Sequence, residues 1–214
     1  MANPTNPQPA AKGIVRDIVP ANPGRIAFPH LVKKNEGGQY PSNKFEVHAL
    51  WPKTDAETLA LLQAKALEAA RQVWPGILGK DLVIGVRDGD EKANLDGFPG
   101  SIFVCAKSSK PVPVYGPARE ALTADAVNGG DFCRVCLAAG SYKKNLEPQV
   151  AKDLQTAGRK VIIETDPATR KVSYFLPAVT FYLNAVQLVR RGESFGGGGA
   201  NPNVFPEEAP ADFG

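Results

Sequence analysis

Alternating apolar and polar residues predict a mainly β protein. The clearest case is the segment 44–51, in which apolar side chains occupy every second position from Phe45 to Trp51. Period-two alternation is typical of an antiparallel strand with one face in a core. Some eight short segments of this kind, separated by turns, predict a small barrel or sandwich. The 21 Gly and 19 Pro residues of the chain suit strands joined by such turns.

One stretch has helical periodicity instead. Apolar residues recur at intervals of three and four positions between Asp55 and Trp74. Thr54 or Asp55 can cap the N-terminus of a helix there, and Pro75 with Gly76 ends it. The pattern predicts one long helix, at about residues 55–74, packed on the sheet.

The last part of the chain combines three kinds of sequence. The segment 172–191 is long, apolar and rich in β-branched residues, which predicts a buried strand. A run of four glycines at 196–199 follows, and the chain closes with an acidic, proline-spaced tip at 206–214. The predicted organisation is a flexible arm at 1–12, one domain at 13–193, and a glycine-rich linker with an acidic tail at 194–214.

The net charge of +3 hides an uneven distribution. From residue 194 onward there are three acidic residues and no Lys or Arg, so the rest of the chain carries a net charge of +6. A basic body with an acidic tail favours a nucleic-acid partner. Charge alone leaves one alternative open, an ordinary basic globule with a solubilising tail.

The cysteines and the N-terminus indicate the compartment. Three cysteines are too few, and odd in number, for a disulfide framework, which favours a reducing environment. The N-terminal segment lacks the apolar core of a signal peptide. No apolar run approaches the ~18 residues of a membrane span. We therefore expect a soluble cytoplasmic protein that does not contact a membrane. We also expect no cofactor, because the four-glycine run is not surrounded by the strand, turn and helix of a dinucleotide-binding motif.

The segment 132–144 suggests a nucleic-acid-binding face. Its second face carries Phe132, Arg134 and Tyr142, opposite an apolar face that includes Val135. Aromatic rings can stack on bases, at ~1–3 kcal/mol per base, while basic groups meet phosphates. A two-sided core is the alternative interpretation. Basic doublets near other strand ends, close to further aromatics, extend the set. The predicted nucleic-acid-binding residues are Lys33, Lys34, Phe103, Lys107, Lys110, Phe132, Arg134, Tyr142, Lys143, Lys144, Tyr174, Arg190 and Arg191.

Two features invite a metal-binding interpretation. Asp88, Asp90 and Glu91 lie in a charged turn, and a metal-dependent nuclease that uses them is the enzymatic alternative. Cys133 and Cys136 are spaced like a zinc-binding pair, but residues three apart on a strand point to opposite faces. We therefore expect no metal site and no enzymatic activity. A protein-interaction module without nucleic-acid affinity is the third hypothesis.

Several segments together resemble one protein family. They are the stretch Arg25 to Pro29 with its hairpin, then 44–53, the charged turn 87–92, the strand 103–110 with Pro111, and 183–193 before the glycines. In this order they are similar to phage-encoded single-stranded DNA-binding proteins with an OB-type barrel, a family formerly of unknown function. The resemblance covers roughly residues 25–193.

The resemblance implies a fold and a function. The fold is an OB-like barrel with an inserted helix. The function is binding of single-stranded DNA without sequence preference, in phage DNA replication, recombination or repair in the host-cell cytoplasm. The resemblance also implies an acidic tail, tipped by an aromatic residue, that recruits replication or recombination proteins. Here the tail residues are Glu207, Glu208, Asp212 and Phe213.

The acidic tip can also compete for a basic groove of its own chain. RNA and duplex DNA stay open as further partners, because stacking and phosphate contacts serve them too. Self-association on DNA stays open as well.

Overall fold

The computed structural model describes residues 13–37 and 41–195. Within these ranges the chain forms one eleven-stranded sheet with two helices. The expected N-terminal arm at 1–12 and the acidic tip at 206–214 lie outside the described residues. None of the helices in the described ranges is long and apolar enough to cross a membrane.

The strands and helices follow one another in a mixed order along the chain. The strands are β1 Ile14–Ile18, β2 Gly24–His30, β3 Phe45–Pro52, β4 Val83–Ile84, β5 Val86–Asp88, β6 Ser101–Ser108, β7 Val114–Tyr115, β8 Ala121–Leu122, β9 Phe132–Leu146, β10 Ile162–Thr165 and β11 Val172–Arg190. The helices are α1 Ala56–Val73, which follows β3, and α2 Pro148–Thr156, which follows β9. The prediction of a mainly β fold is confirmed.

Five strands close into a ring. β2 pairs with β3, and β3 pairs with β6, both antiparallel. β6 then pairs with β11 in parallel, β11 pairs with β9 antiparallel, and β9 returns to β2. A five-stranded small barrel of this kind has the strand number of an OB fold. Other strands extend the sheet, with β1 on β9, β7 on β11 and β8 on β7.

Helix α1 begins where the sequence predicts. Asp55 is the N-cap, and its carboxylate accepts hydrogen bonds from the Thr58 amide at 3.1 Å and the Thr58 hydroxyl at 2.8 Å. Leu62 and Ala66 on the inner face are fully buried. Burying a leucine side chain stabilises the fold by about 1.5–3 kcal/mol. The helix therefore closes one side of the core, and the predicted long helix is confirmed.

Strand β3 is buried on both faces. Val47 and Trp51 point into the main core, as the alternation predicted. Leu50, on the other face, packs in a second, smaller cluster with Phe98 and Phe103. This second cluster packs against the face of β3 and β6 that is opposite the main core.

The structure corrects two details of the predicted elements. Helix α2 was not predicted, because nine residues with one buried side chain, Ala151, give too short an apolar stripe to recognise. Proline usually ends a strand or lies at its edge, but β2 continues through Pro29 to His30. The pairing of β2 with β3 shifts register between Ala27 and His30, and a proline without an N–H group is tolerated at such an irregularity.

Candidate nucleic-acid interface

A groove of about 1110 Å³ crosses the outside of the barrel. Its floor comes from β3, β6 and β11, and one rim is the connection between β2 and β3. Five basic residues line it: Lys33, Lys34, Arg87, Lys92 and Lys107. Two carboxylates, Glu36 and Glu46, also line it, so these side chains give the groove a net charge of +3.

Two exposed aromatic rings line the same groove. Phe28 is 45% exposed and Tyr142 is 44% exposed. Phe28 has a φ of 49°, in the left-handed region that non-glycine residues rarely adopt. Such backbone strain is typical of functional positions. The fold thus holds a large apolar ring at the surface, where a flat ligand can reach it.

An aromatic cluster underlies the groove floor. The ring of His48 is stacked on the buried ring of Phe103, with centroids 5.6 Å apart and planes inclined by 20°. Phe28 meets the same imidazole edge-on at 5.3 Å. Phe98 packs edge-on against Phe103 at 5.0 Å. The exposed Phe28 ring is therefore braced by a rigid apolar base.

The groove electrostatics keep His48 neutral. Burial, reinforced by the positive charge of Lys92, lowers the pKa of His48 to about 4. The Lys92 ammonium lies 5.2 Å from the ring centroids of both Phe98 and Phe103, within cation–π distance. Lys92 is thus held at the groove wall by the same cluster that supports Phe28.

Glu46 organises the β2–β3 rim. Burial alone would raise the pKa of Glu46, but hydrogen bonding by Asn35 and the charge of Lys107 help to hold that pKa below its usual value. The Asn35 amide donates to Glu46 Oε1 at 2.8 Å, and Lys107 Nζ lies 3.3 Å from Oε2. The buried carboxylate therefore ties the rim to the barrel floor and positions Lys107.

Four of the predicted binding residues come together in this groove: Lys33, Lys34, Lys107 and Tyr142. Phe103 is a correction, because it is only 1% exposed and its ring is covered by His48. It cannot stack on a base, and it supports the groove floor from beneath.

Other predicted residues lie away from the groove wall. Two guanidinium groups lie near the Phe132 ring, with Arg190 Cζ at 3.4 Å and Arg25 Cζ at 5.5 Å from its centroid. Arg191 donates to Asp131 Oδ2 at 2.7 Å and to the Ala126 carbonyl at 2.6 Å. Arg134 lines a separate, smaller cavity. Phe132, Arg190 and Arg191 therefore make contacts at the end of β11, and Arg134 faces another surface.

The remaining predicted nucleic-acid-binding residues lie on or near the protein surface. Lys143 forms an ion pair with Glu164, and its ammonium is 5.6 Å from the Phe175 ring centroid. Lys110 and Lys144 are exposed, and Tyr174 is half-buried on the part of β11 between β9 and β10. Lys144 shares a strand face with Tyr142, because it lies two residues further along β9.

The groove residues that the sequence interpretation missed include Phe28, His48, Arg87 and Lys92. Phe28 was assigned only to a strand, and the register shift that exposes it leaves no clear sequence signal. Arg87 and Lys92 were seen only as a charged turn. Of these four residues, only His48 had a sequence signal that could have identified it, because it lies on the second face of a strongly alternating strand.

Lys53 forms ion pairs with two carboxylates of the charged turn 87–92. Lys53 Nζ lies 2.6 Å from Asp88 Oδ1 and 2.6 Å from Asp90 Oδ2. Hydrogen bonding by Lys53 lowers the pKa of both carboxyls. Asp90 also accepts the Gly100 amide at 2.7 Å. These contacts brace the turn before β6 and give it a structural role.

The cysteines do not form a metal site. Cys133 is fully buried, and burial raises the pKa of its thiol to about 12. Cys136 is half-buried and points away from the core that holds Cys133. Among the described residues, no group of three or more His, Cys, Asp or Glu side chains is placed to hold a metal ion.

A five-stranded barrel with a basic, aromatic-lined groove is an architecture of proteins that bind nucleic-acid strands. A family model described as the single-stranded DNA-binding protein of Enterobacter phage Enc34 matches residues 18–161, about two thirds of the chain. The chain belongs to this family of phage single-stranded DNA-binding proteins. No curated protein sequence matches it.

Solved structures were found that are similar to this chain. A C-terminally truncated single-stranded DNA-binding protein from bacteriophage Enc34 is 15% identical, with a TM-score of 0.51 over 81% of this chain and 86% of that one. The same phage protein in complex with single-stranded DNA is 17% identical, with a TM-score of 0.49 over 82% of this chain and 87% of that one. The first likeness supports the barrel assignment.

Proposed function

We propose that this chain coats single-stranded DNA, without sequence preference, by holding it in the groove between the β2–β3 connection and Tyr142. The observation that carries the proposal is the meeting of five basic side chains and two exposed aromatic rings in one groove. In OB folds, oligonucleotides bind on the face of the second and third barrel strands and on the loops beside it. The second and third strands of this ring are β3 and β6, and both contribute to the groove floor.

Phosphate groups supply most of the proposed affinity. Lys33, Lys34 and Lys107 can each neutralise a phosphate and release a counterion, which makes binding independent of sequence and sensitive to salt. Arg87 and Lys92 add two further positive charges to the lining of the same groove. Lys144, on the same strand face as Tyr142, continues the basic path along β9.

Base stacking supplies the preference for single strands. Bases in a duplex are already stacked, whereas bases of a single strand can lie on Phe28 and Tyr142 at about 1–3 kcal/mol each. Phe28 is the stronger platform, because its ring is backed by His48 and Phe98. Stacking on a π-face does not select a base, which suits a protein that covers any sequence.

The proposed biological role is protection of single strands in phage DNA replication, recombination or repair in the host-cell cytoplasm. Recruitment of replication or recombination proteins is proposed for the acidic tip with Glu207, Glu208, Asp212 and Phe213. These residues are outside the described ranges, and the proposal rests on their charge and on the single aromatic near the chain end.

Fluorescence anisotropy with labelled oligo-dT and a duplex of the same length, each at two salt concentrations, tests the function. We expect tighter binding to oligo-dT, with an affinity that falls steeply as salt rises. Equal affinity for the duplex would contradict the stacking mechanism. Absence of binding to both would contradict the assignment of the groove, and an equal affinity for oligo-U would extend the ligand class to RNA.

A further inference from the structure

A second cavity lies on another face of the barrel. Its volume is about 310 Å³, at the lower end of the range of small ligand sites. Val19, Tyr115 and Val186 form an apolar wall, and the first two are 46% and 37% exposed. The cavity shares no lining residue with the groove. The groove lining includes Thr180 of β11, whereas this cavity begins at Ala185 on the same strand.

Two guanidinium groups border this apolar wall. Arg119 and Arg134 both line the cavity. Arg134 Nε donates to the Ala21 carbonyl at 3.3 Å, which holds the side chain at the cavity edge. Its charge is not neutralised by this contact, because a carbonyl is an uncharged acceptor. The cavity thus combines an apolar floor with positive charge.

Arg119 is held at this position at a conformational cost. Its φ is 67°, in the loop that joins β7 to β8. Glycine or asparagine is the usual residue for such a conformation, so an arginine there costs conformational energy. Gln187 Nε2 donates to the carbonyls of Gly116 at 3.2 Å and Pro117 at 3.3 Å, which fixes the loop to β11.

We propose that this cavity is the docking site for the C-terminal tip of the same chain, with the Phe213 ring on the apolar wall and the nearby carboxylates at Arg119 and Arg134. The tip is the complement of the cavity in chemistry, because it offers one aromatic ring next to Asp212 and no basic residue. Carboxylate–arginine pairs and a buried aromatic anchor are the usual elements of such recognition.

The tip can reach the cavity within one chain. The last described residue is Phe195, and Phe213 follows 18 positions later. An extended chain of that length spans up to about 60 Å at roughly 3.3 Å per residue. A domain of this size has a diameter of about 40 Å. Burial, and after it the charge of Asp17, raises the pKa of the Cys136 thiol, so the cavity has one acidic neighbour on the Cys136 side.

Docking stores the tip away from the groove and from partner proteins. The groove then stays open to DNA, while the tip is released only to a partner that binds it more tightly than Arg119 and Arg134 do. This arrangement differs from direct competition between the tail and DNA, because the two cavities are separate surfaces.

Two native thiols make the proposal testable in the full-length protein. Cys136 lines the second cavity and Cys105 lines the groove. Maleimide labelling, followed by mass spectrometry of each cysteine, reports the accessibility of both sites in one sample. We expect Phe213→Ala to raise the labelling rate of Cys136 by about threefold or more and to leave that of Cys105 unchanged, since a thiol reacts as fast as it is exposed and ionised.

The control is Phe205→Ala, which removes an aromatic ring from the same tail but not from the tip. It is expected to leave the labelling of Cys136 at the wild-type rate. Arg134→Glu should expose Cys136 as Phe213→Ala does. Equal labelling of Cys136 in the wild type and in Phe213→Ala would overturn the proposal. Shielding of Cys136 that disappears on dilution would overturn docking within one chain.

Oligo-dT separates this inference from the proposed function. We expect saturating oligo-dT to slow the labelling of Cys105 and not of Cys136. Failure to protect Cys105 would count against the groove as the DNA site and would leave the tip proposal intact. Protection of Cys136 by oligo-dT in Phe213→Ala would assign the second cavity to DNA and would overturn the tip proposal.

Discussion

The imidazole of His48 lies flat on the ring of Phe103, with centroids 5.6 Å apart and planes inclined by 20°. One ring is buried and the other lines the groove. This pair connects the second hydrophobic cluster to the candidate DNA surface, because Phe28 meets the same imidazole at 5.3 Å. The packing beneath the groove therefore decides how firmly the surface ring is held.

The His48 environment predicts a pH-dependent stability. Burial lowers the pKa of His48 from 6.5 to about 4, so between these values the unfolded chain binds a proton that the folded chain does not. The free energy of unfolding should therefore be complete above pH 6.5 and should fall as the pH drops toward 4. The loss from this one group is about 2–3 kcal/mol.

Urea unfolding of the wild type and of His48→Phe at pH 7 and pH 4.5 measures this effect. The variant keeps an aromatic ring on Phe103 and cannot be protonated, so it should lose less stability between the two pH values. His30→Gln is the matched control at the other histidine of the chain. An identical pH dependence in His48→Phe and the wild type would show that His48 is not the responsible group.

Phe28 is expected to contribute to DNA binding at the expense of stability. Replacing it with Gly or Ala removes one stacking platform, so the Kd for oligo-dT should rise roughly 5- to 150-fold. The Gly variant should be more stable than the Ala variant by about 1 kcal/mol, because glycine adopts a positive φ without strain. Anisotropy and urea unfolding measure the two effects.

Val32→Ala is the control for Phe28. Val32 is 68% exposed and close in sequence, but it does not line the groove. Its replacement should leave the Kd unchanged. A Kd for Phe28→Ala equal to that of Val32→Ala would exclude stacking on Phe28.

The two lysines of the β2–β3 connection predict a salt effect. Lys33→Gln combined with Lys34→Gln removes two proposed phosphate contacts, so the slope of log K against log salt should become less steep by about 1.4. Lys65→Gln is the control, because Lys65 is paired with Glu68 at 2.8 Å on α1 and does not line the groove. Equal slopes in the double variant and the wild type would remove these lysines from the DNA path.

Sequence periodicity predicted the elements better than the site. The strand with Phe45 to Trp51 and the helix capped by Asp55 were recognisable, because side chains at period two or 3.6 report a single buried face. The groove could be predicted only in part. Lys33, Lys34, Lys107 and Tyr142 were named from charge doublets and aromatics, without any sign that they share one surface.

The residues that were missed depend on long-range pairing. Phe28 reaches the surface through a register shift between β2 and β3, and no local pattern specifies that shift. Phe103 was predicted to bind nucleic acid because it lies close to the basic pair Lys107 and Lys110, but β6 is covered on both faces near Phe98. A strand that separates two hydrophobic clusters cannot be recognised from alternation alone.

The acidic turn predicts a negative result in a nuclease assay. Lys53 pairs with both Asp88 and Asp90, and these contacts leave the turn a structural role. Labelled single-stranded DNA should remain intact with magnesium or manganese, at the same level for the wild type and for Asp90→Asn. Degradation that is present in the wild type and lost in Asp90→Asn would assign catalysis to this turn.

Arg25 is expected to hold the segment after β11 against the barrel. Its Nη2 donates to the Glu193 carbonyl at 2.7 Å, and its guanidinium carbon lies 4.1 Å from the Phe195 ring centroid. Lysine cannot stack and donate in this geometry at once, so Arg25→Lys should lower the free energy of unfolding by about 1–2 kcal/mol. Urea unfolding measures the loss, and Arg16→Lys, at an exposed position of β1, should change stability little. If Arg25→Lys and Arg16→Lys unfold at the same urea concentration, the contacts of Arg25 do not stabilise the fold. The ion pair between Arg191 and Asp131 would then hold the segment after β11 against the barrel.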